Sequence, residues 1–198
     1  SFKTATPILG RMRKRILEIA TRQMKSGGYE SLNFGAIAAE LNTSRANLHY
    51  HFKNKEGLGL AVTVQYIQEE KSQVDDIIHR NDGDIISLLQ ELEAHLLEIA
   101  LKNESSSACI CSQLLYEFDA PKRLRELAVE RIRAEEKDIE SQIRKAKKKG
   151  TLDDSANVRD ISFRIMATML GVGQLAMVET SKSKLTKSIR GCLVSIVK

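Results

Sequence analysis

The sequence predicts an all-α protein, and three observations support this fold class. The 198 residues include only 2 Pro and 11 Gly, so few positions interrupt a helix. Leu, Ile, Ala, Glu and Lys dominate, whereas the alternating β-branched runs that are typical of strands are scarce. A hydrophobic content of 42% with 29% charged residues is typical of a globular protein rather than of a disordered one.

Three helices are predicted within the first 55 residues. The first extends over residues 10–26, carries an apolar face that includes Ile16 and Met24, and ends at Gly27-Gly28. Asn33 is expected to cap a short second helix, residues 34–41, by accepting a hydrogen bond from a free backbone N–H. After a tight turn, Ser44 is expected to cap a third helix over residues 45–51.

Longer helices are predicted to follow, with Asp84 and Pro121 placed as starting residues for two of them. Their expected spans are 55–79, 85–101, 109–118, 121–149, 157–179 and 183–197. Ser105–Ser107 predicts a loop. Since no linker is rich in Gly, Ser or Pro, we expect the fourth helix to join a domain of residues 1–55 to one of residues 56–198.

Charge is distributed unevenly along the chain. Residues 1–55 carry 10 Lys and Arg against 3 Asp and Glu, a net charge of +7. The remaining residues have a net charge of −2, and the whole chain has +5. A basic domain on a nearly neutral body indicates binding to a polyanion, because phosphate contacts dominate nucleic-acid affinity. The alternative is a solvated basic face without a partner.

Two short helices joined by a tight turn, after a basic helix, form a helix-turn-helix pattern. The second of them must lie in the major groove of DNA and present polar side chains to base edges. Its exposed positions are expected to be Arg45, Ala46, Asn47 and His49. Leu48 and Phe52 are expected to hold it against the other two helices.

The residues themselves are more specific than this pattern. Gly28-Tyr29, Ile37-Ala38 and the run Thr43–Leu58 (TSRANLHYHFKNKEGL) closely resemble the signature of the tetracycline-repressor (TetR) family. The match covers about residues 10–60, and the remaining chain shows only the general all-helical layout of the family. The resemblance implies an N-terminal three-helix DNA-binding domain joined to a helical ligand-binding and dimerisation domain.

The resemblance also implies roles for individual residues. Ser44 and Tyr50 would contact phosphates, His51 would support or contact the DNA backbone, and Lys55 would reach a phosphate. The implied DNA-binding set is Asn33, Ser44, Arg45, Ala46, Asn47, His49, Tyr50, His51 and Lys55. Three positions depart from the family pattern: His49 replaces a usual Tyr, Asn42 a common Gly, and Gly35 a position that is often polar.

A homodimer is the implied assembly, because a symmetric pair can read two half-sites. The expected interface follows apolar stripes on the last two helices, at Ile161, Ile165, Met169, Val172, Ile189 and Leu193. Gly171 and Gly173 would allow a partner helix to approach closely. The alternative is that these stripes pack only within one chain.

The resemblance further implies a small-molecule effector that binds among the middle helices. Candidate contacts are Tyr66, His95, Ile99, Cys109, Leu115, Tyr116 and Phe118, each of which could instead be plain core. Cys109 and Cys111 could sense oxidants, although residues two apart on a helix point in different directions. The alternative is that both are small buried hydrophobic residues.

The sequence does not favour an enzyme. It contains no Gly-rich phosphate loop and no nucleophile elbow, and its four His lack metal-ligand spacing. Glu69-Glu70 and Asp75-Asp76 are expected on the exposed side of the fourth helix, without identifiable partners. No cofactor, metal site, membrane span or secretory signal is predicted, and 3 Cys favour a reducing cytoplasm.

We therefore expect a sequence-specific DNA-binding transcriptional regulator. The leading hypothesis is a repressor that occupies a palindromic operator as a dimer and is released by a small-molecule effector. The alternative is an architectural DNA-binding protein without an inducer.

Overall fold

The structure is a computed structural model that describes residues 5–101, 109–176, 178–179 and 181–197, with side chains from residue 10 onward. These residues form nine α-helices and two short 3-10 helices, without a strand, which confirms the all-α class. The α-helices are α1 Ala5–Gly27, α2 Phe34–Glu40, α3 Arg45–Phe52, α4 Lys55–Arg80, α5 Ile85–Leu101, α6 Ile110–Leu114, α7 Lys122–Lys148, α8 Val158–Leu175 and α9 Lys182–Ile189. The predicted loop at Ser105–Ser107 lies outside the described residues.

The chain divides into two compact units whose boundaries differ from the expected division at residue 55. The first unit contains the chain up to Ile67 together with Ile110–Val129. The second contains the described parts of 68–109 and 130–198. Helices α4 and α7 therefore each contribute residues to both units.

The first unit buries the apolar faces that the sequence predicted for its short helices. Ile16, Met24, Ile37, Leu48 and Leu58 are fully buried, so α1, α2, α3 and the start of α4 share one core. Burial of such side chains is the main stabilising contribution to a unit of this size, at roughly 1.5–3 kcal/mol each.

A carboxylate ties Ile110–Val129 to the rest of the first unit. Glu117 accepts a hydrogen bond of 2.8 Å from the backbone N–H of Tyr29, just after α1. Gly28 makes this approach possible: its φ is +69°, and a Cβ there would lie 1.8 Å from Glu117 Oε1. The side-chain amide of Gln113 also donates to the carbonyl of Lys25 (3.1 Å).

The second unit is built around an apolar core from α4, α5, α7 and α8. Leu88, Leu92, Ile139, Ile143 and Ile165 are completely buried there. A charged side chain also lies inside this unit, since Glu93 of α5 is buried. Its carboxylate accepts hydrogen bonds from the backbone N–H groups of Gly191, Leu193 and Val194, at 2.8, 2.7 and 3.0 Å.

Three predicted helices are too long at their C-terminal ends. α6 ends at Leu114, and the chain then turns twice, with N–H of Tyr116 donating to Gln113 and N–H of Ala120 to Glu117. α8 ends at Leu175 rather than at residue 179.

α9 ends at Ile189 rather than at residue 197. Gly191 then takes a φ of +81°, and a 3-10 turn at Val194–Ile196 follows. The reason is long-range, since Glu93 binds the backbone amides that a continuing helix would have used internally.

None of the described helices combines the length and the apolar composition that crossing a bilayer requires.

Glu93→Ala is expected to destabilise the second unit strongly. The change leaves the buried N–H groups of Leu193 and Val194 and the partly buried N–H of Gly191 without an acceptor, at a cost of about 2 kcal/mol or more. Hydrogen exchange should accelerate at the amides of Leu193 and Val194, and chemical denaturation should give the loss of stability. Glu18→Ala is the matched control, because Glu18 is exposed and its ion pair with Lys14 is long, at 4.0 Å. Equal stability of the two variants would contradict an anchoring role for Glu93.

Candidate nucleic-acid interface

The turn between α2 and α3 is closed by backbone hydrogen bonds. Leu41 is the C-cap of α2, and Asn42 takes a φ of +49°, a left-handed conformation that Asn adopts more readily than most residues. The N–H of Thr43 donates to the carbonyl of Ala38, and that of Asn42 to Ala39, at 2.9 and 3.2 Å. This is a Schellman motif, which occupies the carbonyls that the helix end leaves free.

Both caps predicted in this region form. The Asn33 side chain accepts from the N–H of Ala36 at 3.0 Å and starts α2. The Ser44 hydroxyl accepts from the N–H of Asn47 at 3.2 Å and starts α3. Both polar side chains are exposed, so each can also hydrogen-bond to a partner outside the protein. The free backbone N–H groups at these helix N-termini favour an anion as that partner.

α3 has one buried face and one exposed face. Leu48 and Phe52 are buried, and the Arg13 guanidinium of α1 lies 5.2 Å from the centre of the Phe52 ring. On the other side, the exposed residues among those predicted to meet DNA are Arg45, Ala46, His49 and Tyr50. The helix therefore presents one face, from Arg45 to Tyr50, to solvent, while its apolar side holds it in the core.

Asn47 differs from its predicted neighbours on α3. It is half-buried, and its amide Nδ2 donates to the Thr43 hydroxyl at 3.0 Å. The oxygen of its side-chain amide, Oδ1, makes no hydrogen bond to the described residues. In this conformation Asn47 stabilises the start of α3, and one of its two N–H donors is already engaged.

Arg45 lies across the beginning of α2. A Cβ at Gly35 would stand 2.4 Å from an Arg45 guanidinium nitrogen, so the missing side chain at Gly35 provides the space for the guanidinium. Together with Asn33, His49 and Lys55, these residues line an open depression of about 420 Å³ on the exposed surface. The lining is largely apolar but carries the cations Arg45 and Lys55, which suit an anionic group.

The corner between α3 and α4 is unusually tight. Lys53 has φ +63° and ψ −57°, and the N–H of Asn54 donates to the Phe52 carbonyl at 2.7 Å, which defines a γ-turn of the strained, positive-φ kind. The His49 ring lies against Phe34, and its Nδ1 lies 2.7 Å from the Lys53 carbonyl. Since a carbonyl only accepts, Nδ1 carries a proton, and Nε2 is left for another partner.

Gly57 is required at this corner by close backbone approach. A Cβ at Gly57 would lie only 2.2 Å from the Phe52 carbonyl oxygen. The N–H of Gly57 donates to the Asn54 side chain at 2.8 Å, so Asn54 caps α4. The orientation of α3 relative to α4 within the first unit therefore depends on this contact.

Lys55 is already engaged within the first unit. Its Nζ lies 3.1 Å from the Glu30 carboxylate, 3.0 Å from the Glu30 carbonyl and 4.9 Å from the Tyr29 ring centre. Burial, with Glu56 and Glu30 nearby, raises the pKa of Tyr29, so its phenol stays neutral. Glu30 is mostly exposed, and a phosphate would compete with it for the ammonium group.

Tyr50 and His51 occupy different environments. Tyr50 is 73% exposed and stands edge-on to the His51 ring, with 5.4 Å between ring centres. His51 is half-buried, and its Nε2 is buried without a hydrogen-bond partner among the described residues. His51 is thus placed to support Tyr50 rather than to reach out from the surface.

The predicted dimer residues lie in the core of their own chain. Ile161, Ile165, Ile189 and Leu193 are buried, and Met169 and Val172 pack partly buried against the same apolar clusters. The exposed side of α8 instead carries Phe163, which is 66% exposed.

The predicted effector residues fall into both units. Tyr66, Leu115, Tyr116 and Phe118 belong to the first unit, and His95, Ile99 and Cys109 belong to the second. Tyr116 and Phe118 are strongly exposed, so they do not line an interior site in this conformation. Cys111 is buried, as its alternative interpretation expected, whereas Cys109 is half-buried. The described side chains offer no cluster of three or more metal ligands.

Sequence reasoning missed several residues that shape this surface: Glu30, Lys53, Asn54, Gly57 and Glu117. Asn54 at the start of a helix is a cap signal that could have been recognised. The other contacts join residues that are distant in sequence or depend on backbone angles, and no local sequence pattern predicts them.

Both halves of the chain match known family models. Residues 16–62 match the model described as bacterial regulatory proteins, tetR family, which confirms the resemblance seen in the sequence. Residues 86–192 match the model described as tetracyclin repressor-like, C-terminal domain.

Two Bacillus subtilis proteins described as uncharacterized HTH-type transcriptional regulators are similar in sequence. YvkB is 33% identical over 85 residues, which is 43% of this chain and 43% of YvkB. YvaF is 30% identical over 110 residues, which is 55% of this chain and 56% of YvaF. The chain thus spans about half the length of the curated relatives that it matches.

Solved structures of regulators share the fold over nearly the whole chain. A TetR family transcriptional regulator from Agrobacterium tumefaciens superposes with a TM-score of 0.84 at 20% identity, over 96% of this chain and 100% of the other. A putative transcriptional regulator from Saccharomonospora viridis in complex with choline gives 0.75 at 23% identity, over 91% and 94%. At these identities the likeness establishes the fold.

Gly57→Ala should destabilise the protein, although helix propensity alone predicts a gain of up to about 1 kcal/mol. The new Cβ would collide with the Phe52 carbonyl, and backbone atoms cannot turn aside as a side chain can. Thermal unfolding of Gly57→Ala and of Gly10→Ala makes the comparison, because a Cβ at Gly10 meets nothing within 4 Å. Similar stabilisation of both variants would contradict the close approach.

Proposed function

Because the chain belongs to the TetR family of bacterial regulatory proteins, we propose that it regulates transcription by binding a specific sequence of double-stranded DNA. The observation that carries this proposal is the exposed face of α3, with Arg45, Ala46, His49 and Tyr50, on a domain of charge +7. A short helix with one buried face and small or polar groups on the other fits the major groove.

The proposed DNA contacts are of two kinds: contacts to phosphates, which position α3, and contacts to base edges, which read the sequence. Tyr50, Ser44 and Lys55 would bind phosphates, since each offers an O–H or N–H donor near a helix N-terminus or at the exposed face. Lys55 would exchange Glu30 for a phosphate. These contacts would fix the orientation of α3 without selecting a sequence.

Arg45 and His49 are the proposed base-reading residues. Arg45 can donate two hydrogen bonds to guanine. His49 places its Nδ1 proton on the Lys53 carbonyl, and in this tautomer Nε2 is an acceptor, which suits an adenine or cytosine amino group. The Tyr that the family usually has at this position would instead donate a hydrogen bond through its phenol O–H.

We propose that the protein acts as a homodimer through the exposed face of α8. Phe163, Ala167, Leu170 and Gly171 recur at i, i+4, i+7 and i+8, so they share one side of the helix, opposite the buried Ile165. A Cβ at Gly171 would meet nothing within 4 Å, which leaves room for a partner helix. Two α3 helices held about 34–36 Å apart would read a palindrome.

Repression in the cytoplasm with release by a small effector is the proposed mode of regulation. An effector can move the protein off DNA only if it binds the DNA-free conformation more tightly than the DNA-bound one. The Saccharomonospora viridis regulator holds choline on the same fold, which supports a ligand-binding role for the helical body. The chain's family and fold are those of regulators rather than of enzymes.

An architectural role without an inducer is the second candidate, favoured by the strongly basic N-terminal domain. Selection of bound duplexes from a random library tests both. One enriched short palindrome is expected for a specific regulator, whereas salt-sensitive binding without enrichment is expected for an architectural protein.

Arg45→Ala should weaken binding to the selected operator by about 10- to 100-fold and relax one base position. Lys55→Ala should weaken binding to all sequences alike and reduce the salt dependence by about one ion. Fluorescence anisotropy at several salt concentrations measures both effects. Arg133→Ala, which removes an exposed cation from the second unit, is the control. An unchanged base preference in Arg45→Ala would refute its reading role.

Phe163→Glu should convert the dimer to a monomer, because a charge would be buried where an apolar contact is expected. Sedimentation velocity measures the mass of each species. Phe118→Glu is the matched control, since Phe118 is 77% exposed but lies in the first unit. Dissociation by Phe118→Glu, with an intact Phe163→Glu dimer, would place the interface elsewhere.

A further inference from the structure

The two side chains proposed to read bases both lie beside the first turn of α2. Arg45 and His49 are four positions apart in α3, so they stand one helical turn apart on its exposed side. Phe34 and Gly35 are the first two residues of α2. All four residues line the same open depression of the first unit. The residues that begin α2 are therefore the immediate surroundings of both reading side chains.

Gly35 leaves the space that the Arg45 guanidinium occupies. A Cβ at Gly35 would lie 2.4 Å from Nη2 of Arg45 and 3.0 Å from both Cζ and Nε, whereas ordinary contact begins at 3.4 Å. The planar end of the Arg45 side chain thus lies over this glycine. A residue with a side chain at position 35 would displace the guanidinium by about 1 Å or more, because overlapping atoms repel steeply.

Within the described chain, no hydrogen bond or ion pair holds Arg45. The residue is exposed, and all five of its N–H donors are available to a partner. A long side chain without such a bond can adopt many rotamers, so the shape of the surface beneath it determines which of them are open. The absence of a side chain at Gly35 is therefore a direct constraint on where the Arg45 guanidinium lies.

His49 is held from two sides. Its Nδ1 lies 2.7 Å from the Lys53 carbonyl, which fixes the tautomer. Its ring lies against that of Phe34, with 4.8 Å between ring centres and 50° between the ring planes. Removal of the Phe34 ring would leave His49 with the hydrogen bond alone, and its imidazole could then tilt about that bond.

We propose that Phe34 and Gly35 are positioning residues for DNA reading: Gly35 admits the Arg45 guanidinium, and Phe34 supports the His49 ring. Neither side chain can itself donate a hydrogen bond to a base. A bidentate contact from Arg45 requires both N–H groups to point at their acceptors, and a displacement of about 1 Å is enough to break one of the two bonds. The inference rests on the proposed function, because it concerns the residues that would read the operator.

Gly35→Ala is the first test. Gly35 does not have a positive φ, and Ala favours a helix, so the unfolding temperature should stay the same or rise. Binding to the selected operator should nevertheless weaken about 3- to 30-fold, with relaxed preference at the base position that Arg45→Ala relaxes. Selection from a duplex library and fluorescence anisotropy measure these effects. Full affinity with an unchanged base preference would overturn the role of Gly35.

An Arg45→Ala background separates positioning from a direct collision with DNA. Without the guanidinium, Gly35→Ala should change operator affinity by less than about twofold, because the two residues act through one contact. A loss of the same size in both backgrounds would mean that the new methyl group itself meets DNA, and the proposal would be wrong.

Phe34→Leu supplies the matched control for Gly35→Ala. It removes the aromatic ring but keeps an apolar side chain at a half-buried position. This variant should relax the base position that His49→Ala relaxes and leave the Arg45 position unchanged, and Gly35→Ala should do the reverse. Relaxation of both positions by both variants would indicate a general distortion of α2 and α3 and would contradict two separate positioning roles.

A measurement without DNA distinguishes this inference from the proposed function. The Nε–H group of Arg45 gives an NMR signal at mildly acidic pH, where its exchange with water is slow. Gly35→Ala should shift this signal, and Phe34→Leu should leave it in place. An unchanged signal in Gly35→Ala would contradict displacement of the guanidinium. Failure of the unaltered protein to select any DNA sequence would refute the proposed function, while the shift of the Arg45 signal would remain.

Discussion

Buried backbone N–H groups must find acceptors, and in each unit a single carboxylate meets this requirement across a long stretch of sequence. Glu117 binds the amide of Tyr29, 88 residues away, and Glu93 binds amides 98 to 101 residues away. An unpaired buried amide costs about as much as several well-packed methyl groups contribute. These two contacts therefore determine which segments can pack together: Ile110–Val129 joins the first unit, and the turn after α9 closes on α5 in the second.

The sequence predicts those parts of the fold that depend on local chemistry. Few helix-breaking residues and scarce β-branched alternation indicated the all-α class, and Asn33 and Ser44 marked the starts of the short helices because caps act within a few positions. It failed at the ends of α6 and α9. There the deciding groups are Glu117 and Glu93, whose partners no periodicity can identify. The apolar stripe at Ile161 and Ile165 indicated burial correctly but could not tell a core of the same chain from an interface.

In the candidate site, too, local features could be predicted from the sequence, whereas features that depend on tertiary contacts could not. The exposure of Arg45, His49 and Tyr50 follows from a helix whose opposite face must be buried, so sequence reasoning could place them. Their orientation depends on the strained γ-turn at Lys53, on the His49 contact to its carbonyl and on the space left by Gly57. Strained backbone persists only where surrounding contacts over-determine it. Here the contacts come from α3 and α4 themselves, so a change at this corner would alter DNA affinity without removing a single DNA contact.

Helix α4 belongs to both units, since it supplies Lys55 and Gly57 to the first and Val74 and Ile77 to the apolar core of the second. An effector acts only through a difference in affinity between two conformations of the protein. A ligand bound in the second unit would therefore alter DNA binding only by favouring one position of an element that both units share, and α4 and α7 meet this condition among the described helices.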